Sequence, residues 1–200
     1  MRMAFILFDG MTTLDFFGFF DPVTRLSLYK DRLKEEVAWD LCGIQEEVTD
    51  DRGLTIKVKK IRPDLAEYDL IFVPGGYATR KLRYDEDFIG WLQTAKDSAM
   101  KVSVCTGSLL FGAAGWLKEL RATSNPSAYE LLAPYCGEVV PSRIVRDGNV
   151  ITGGGVAASL DVGLFLVELF SCEDTASAIQ KSMDYPYYQP GKTNVDYTVI

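Results

Sequence analysis

Two hundred residues, 48% of them hydrophobic and 24% charged, suit one globular domain over 1–200 with a full core, and exclude a disordered or fibrous chain. A formal charge of −7 without a dense Lys/Arg stripe argues against a nucleic-acid partner, and no apolar run reaches the roughly 20 residues of a membrane span. MRMAFILFDG carries no small-residue cleavage site, and the four cysteines (Cys42, Cys105, Cys136, Cys172) stand far apart in a chain without histidine, so free thiols, no metal site and a cytoplasmic location are expected.

In chain order, strands are predicted at 2–8, 37–43, 69–74 and 101–105, each a short apolar run ending in a turn signal or a small residue. Helical patterns fill 14–30 and 85–100 between them, and this alternation predicts an α/β fold with a mostly parallel sheet covered on both faces. Residues 48–61 and 142–155 alternate around D-R-G and D-G turns, which predicts hairpins or edge strands added to that sheet. The chain closes with helices over 156–170 and 173–183 and an aromatic, proline-containing tail over 184–200, expected to pack on its own domain or on a partner subunit.

The stretch SVCTGSLLF centres on Cys105, flanked two residues away by Ser103 and Gly107. A strand-to-helix turn tight enough to expose a nucleophile presses those flanking positions together and needs them small. Cys105 therefore reads as a cysteine nucleophile elbow at a helix start, where the backbone N–H groups favour thiolate; the structural alternative is the last buried residue of a strand. Without histidine, the acid or base must be another group. Asp15, just inside the helix after the first strand and beside Phe16, Phe17, Phe19 and Phe20, is the candidate, since burial and a neighbouring thiolate disfavour its charged form. Thr12 and Asp15 equally fit a helix capping box. Gly75 and Gly76 follow the third strand, where backbone N–H groups can approach a ligand. Asp21, Asp161 and Glu168 read as solvated or structural. The glycines of ITGGGVAAS come too late in the chain for a dinucleotide fingerprint, and GKT at 191–193 lacks the earlier glycine of a phosphate loop.

FDGMTTLDFFG, FVPGGYATRKL, VCTGSLLFGAAGWL and ITGGGVAASLDVGLFLVE, in this order, resemble the ThiJ/PfpI superfamily over about residues 3–183. LDF after the first strand with C-T-G at the elbow is most similar to its isocyanide (isonitrile) hydratase subgroup. The resemblance implies a flavodoxin-like three-layer sandwich, a homodimer, and a lyase that adds water to an isocyanide without metal or organic cofactor. It also implies that Cys105 attacks the substrate carbon, Asp15 relays protons, and Thr106 with the Gly76 amide holds the intermediate, against walls that include Gly75, Phe16 and Gly154. Departures are Asn125 where many relatives have histidine, and Phe19 and Asp21 in place of proline and glutamate. The superfamily also contains glyoxalases, chaperone-like members and the sensor halves of transcription regulators. A glyoxalase or deglycase-like enzyme on α-oxoaldehydes, and a cysteine-based oxidative sensor or ligand-binding domain, are therefore the competing expectations. No helix-turn-helix follows residue 200, and a complete regulator is not expected.

Overall fold

The apolar run behind Met1 forms β1 (Arg2–Ile6), and the phenylalanine-rich stretch after it forms α1 (Thr13–Thr24). Pro22 removes a helical donor and the Thr24 hydroxyl bonds back to the Phe20 carbonyl at 2.8 Å, so the helix stops short of the predicted residue 30 and continues as 3₁₀ turns. Then come β2 (Ala38–Gly43), a ribbon of β3 (Glu47–Thr49) and β4 (Thr55–Lys57), the short β5 (Lys60–Ile61), and β6 (Leu70–Val73). The helices α2 (Thr79–Leu82) and α3 (Glu86–Leu92) lead to β7 (Met100–Val104), which turns directly into α4 (Gly107–Ala113). A small excursion of β8 (Arg121–Ala122), α5 (Tyr129–Leu132) and β9 (Glu138–Val139) precedes the hairpin of β10 (Ile144–Asp147) and β11 (Val150–Gly153). The chain ends with α6 (Ala158–Phe170), α7 (Glu173–Ser182) and β12 (Asp196–Tyr197). This computed structural model describes residues 1–33, 35–97 and 99–191, and the backbone of 196–197.

The strands order as β12-β10-β11-β7-β6-β1-β2-β5, parallel from β11 to β5 and antiparallel at β10 and β12. Helices flank this sheet in a flavodoxin-like α/β sandwich, and β6 is buried along its whole length, as a parallel strand covered on both faces must be. Phe19 of α1 stacks on Phe72 of β6 with ring centroids 3.9 Å apart. Against it, α6 comes so close that a Cβ at Gly18 would strike Ser159 and one at Gly163 would strike Pro22.

The second hairpin joins the sheet as predicted. The first does not: β3 and β4 pair only with each other, Val48 reaching the core while its neighbours are exposed, and β5 alone reaches β2. The predicted helix over 85–100 stops at Leu92, where the Thr94 hydroxyl bonds back to the Trp91 carbonyl at 2.8 Å. In the tail, Tyr188 is buried and donates to Glu168 at 2.8 Å, and Tyr185 donates to Asp161. Asp161 is fully buried beneath Arg143, so its role is structural; Asp21 likewise pairs with Arg25. Residues 192–195 and 198–200 of the tail, with Lys192 and Thr193 of the GKT stretch among them, lie outside the described residues. Among the described residues, no helix is long and apolar enough to cross a membrane.

Candidate active site

Because β11, β7, β6 and β1 are consecutive and parallel, their C-terminal ends open on one edge of the sheet, the edge at which open α/β sheets assemble ligand sites. β7 delivers Cys105 there with φ +55, a left-handed conformation uncommon for a residue with a side chain. The turn is held from three directions. The Cys105 N–H donates to the Gly154 carbonyl at 2.8 Å, the Ser108 and Ser124 hydroxyls donate to the Cys105 carbonyl, and Gly107 sits so close to the Val73 and Pro74 carbonyls that no side chain would fit. Gly107 is thus small for the reason the pattern suggested, although what presses on it is the end of β6 with Pro74 and not Ser103, and Gly154 supports the elbow through its carbonyl.

Between β7 and β1 lies β6, and its following residue, Gly75, joins the two halves of the site. A Cβ on Gly75 would lie 2.8 Å from the Cys105 Cβ and 2.7 Å from Asp15 Oδ2, so only glycine lets these groups converge. Asp15 is fully buried; its Oδ2 accepts the Gly75 N–H at 2.9 Å, whereas Oδ1 is buried with no hydrogen-bond partner. The capping box is not made: the Thr12 hydroxyl donates to Asp51 at 3.3 Å, and the Asp15 carboxyl turns inward. Burial pushes Asp15 up to about 7, against the favourable Gly75 N–H and Cys105 contacts, with the charge of Asp51 adding to the rise.

Cys105 departs from the expected thiolate. Burial first, then the charge of Asp15, push its thiol up to about 12, and they outweigh the Thr106 N–H and the Asn125 side-chain amide that favour the ionised sulfur. Asn125 is thus a polar neighbour of the sulfur. The glycine amides also differ from expectation. The Gly75 N–H is engaged by Asp15, and the Gly76 N–H donates to Thr106 Oγ1 at 3.0 Å, whose hydroxyl donates back to the Gly76 carbonyl at 3.0 Å. Neither points at a ligand; what faces the sulfur is the Thr106 N–H and Asn125. Phe16 belongs to the core, 1% exposed and packed edge-on to Phe5, and does not wall the cavity.

A cavity of about 210 Å³ opens beside the thiol, lined by Cys105, Thr106, Gly76, Asn125, Thr12 and Val156, with Asp51, Arg52, Tyr77, Arg80 and Ser127 completing it. Sequence reasoning missed Arg80 and Tyr77. The available signal was spacing: Arg80 stands four residues after Gly76, as the second residue of α2. A larger, mostly apolar cavity of about 320 Å³ around Phe8, Ile44, Val48 and Phe88 is lined by no cysteine, serine or threonine.

A model of the DJ-1/PfpI family matches residues 1–169 of the chain. Isonitrile hydratase of Pseudomonas putida is 35% identical over 187 residues, covering 92% of this chain and 78% of that protein. A deglycase of Pyrococcus horikoshii is 27% identical over 110 residues, 52% of this chain and 65% of its own. Among solved structures, a ThiJ/PfpI family protein from Pseudomonas syringae superposes with a TM-score of 0.83 at 30% identity, over 96% of this chain and 77% of that one. Drosophila melanogaster DJ-1beta superposes with 0.79 at 19% identity, over 93% and 98%, which is likeness of fold.

Proposed function

The chain belongs to the DJ-1/PfpI family, and on that premise we propose that it is a cofactor-free hydratase of isocyanides or similar small electrophiles, giving N-substituted formamides. The observation that carries the reading is the Asp15 carboxyl, pushed up to about 7 beside a cysteine, with one oxygen buried and unpartnered. The isonitrile hydratase relative supports the reaction class.

Asp15 and Cys105 hold one proton between them above about pH 7, and the reactive arrangement places it on Asp15. The sulfur bonds to the terminal carbon of R–NC while Asp15 delivers its proton to that same carbon, giving the thioimidate R–N=CH–S–Cys105 and leaving a carboxylate. Asp15 then takes a proton from water as the oxygen adds to carbon, and passes it to nitrogen. Expulsion of the sulfur releases R–NH–CHO, and the hydroxyl proton returns to Asp15, so the pair ends as it began. The Thr106 N–H and Asn125 amide steady the charge on sulfur in attack and departure.

Formamide production from methyl isocyanide by the wild-type protein, absent in Cys105→Ala, is the expected result. A folded wild-type protein that forms no formamide ends the hydratase reading. The deglycase relative favours a second reading, chemistry on α-oxoaldehydes, for which lactate from methylglyoxal above the Cys105→Ala background is the discriminating assay. A sensor role draws little support from a thiol pushed up to about 12. The homodimer implied by the resemblance is part of the proposal, as is a cytoplasmic location. Leu14 and Phe17, 48% and 41% exposed on α1, supply apolar surface for such a contact, and sedimentation showing monomer alone removes it.

A further inference from the structure

The cavity carries a charge that the hydration steps leave unused. Arg80, in α2, lines it and lies over the Tyr77 ring, its guanidinium carbon 4.8 Å from the ring centroid. No carboxylate among the described residues forms an ion pair with Arg80, whereas Arg2, Arg25, Arg62 and Arg143 each have at least one such partner. The other cation of the lining, Arg52, already faces Asp51 at 3.6 Å. Two arginines and one aspartate line the cavity, inside a chain whose net charge is −7; the Asp15–Cys105 pair adds one negative charge at its floor above about pH 7, so the positive charge is local to the Arg80 guanidinium.

A guanidinium held against an aromatic face keeps its planar fork of N–H donors available, and that fork matches a carboxylate better than a neutral group. An anion approaching this molecule meets repulsion from most of its surface, so an unpaired guanidinium at the cavity changes what can dwell there. The available space, about 210 Å³, equals the room of about seven liquid water molecules and suits a small molecule.

We propose that Arg80 forms a carboxylate subsite, and that the substrate is a small isocyanide bearing a carboxylate a few bonds from its reactive carbon. The identity of the electrophile rests on the hydratase reading; the anion preference does not. Isocyanoacetate is the simplest compound of this kind, and N-formylglycine is its hydration product.

Calorimetric titration of N-formylglycine and of its methyl ester into Cys105→Ala, which cannot react, tests the subsite directly. The acid is expected to bind about tenfold or more tightly than the ester at low salt. Adding Arg80→Met is expected to bring the two within about twofold, and adding Arg80→Lys, which keeps the charge, to retain part of the preference. Equal affinity for acid and ester in Cys105→Ala, no binding of either up to about 10 mM, or a preference that survives Arg80→Met overturns the proposal. In parallel, the wild-type protein is assayed with isocyanoacetate and its methyl ester. Formamide from neither refutes the hydratase reading while leaving the binding result to stand or fall alone; comparable kcat/KM for both refutes the subsite while leaving the hydratase.

Discussion

Asp15 gives the site a response to pH near neutrality in a chain that has no histidine, because burial pushes its carboxyl up to about 7. Below that value both members of the pair are protonated and the sulfur has no base; above it one proton is shared. Turnover is therefore expected to rise with pH through about 7 and then level off, and Asp15→Asn to lose that rise together with nearly all activity. A flat profile between pH 6 and 8 in the active wild-type enzyme would contradict this assignment. Stability runs the other way. A carboxyl that binds its proton more tightly folded than unfolded contributes fully below about pH 4, and the contribution is lost as pH rises to about 7. The loss is at most roughly 4 kcal/mol. Asp15→Asn, always neutral, is expected to melt several degrees above wild type at pH 8 and close to it at pH 4, as calorimetry would show.

Helix α1 carries Asp15 to the sheet edge, and its approach to α6 depends on Gly18 and Gly163. Gly18→Ala places a methyl against Ser159, whose hydroxyl already donates to the Leu14 and Val156 carbonyls. Overpacking of this kind costs about 1–3 kcal/mol, and it moves the turn that bears Asp15. Both a lower Tm and a reduced kcat are expected; an unchanged kcat would mean that the first turn of α1 is anchored independently of α6. Single elements also mark where sequence reading succeeds and where it stops. The elbow was legible because a tight turn demands a small residue at a fixed offset, and Gly107 supplies it. The β3–β4 ribbon was legible as strands but not as a separate sheet, since alternation reports that a strand has two unlike faces and not which strand it pairs with. The fate of the Gly75 and Gly76 amides was not legible, because their acceptors, Asp15 and Thr106, come from elements distant in sequence.

Across the whole molecule, chemistry and fastening are segregated. The reactive groups cluster at the C-terminal ends of the parallel strands, while the tail is tied down through Tyr185 to Asp161 and Tyr188 to Glu168. Tyr188→Ala is expected to lower stability by about 3 kcal/mol, the scale of emptying a buried aromatic site, and to leave kcat/KM near the wild-type value; a parallel fall in kcat/KM would show that the tail supports the site. The same separation explains the limits of inference from sequence. Order and spacing of the motifs pointed to the fold, and to the cysteine and the carboxyl that the structure brings together. The neutral state of the thiol, the Asn125 contact and the unpaired Arg80 depend on burial and charge summed over several elements, which a linear pattern does not record.

The left-handed turn at Cys105 puts stability and activity under opposed selection. A side chain at φ +55 costs about 1–2 kcal/mol that glycine does not incur. Cys105→Gly is therefore expected to melt above Cys105→Ala, the reverse of the usual order for these two residues away from such turns. A screen for heat tolerance alone would tend to discard the one atom on which the proposed chemistry depends, so variants of this family improved for endurance should be assayed for turnover before anything else.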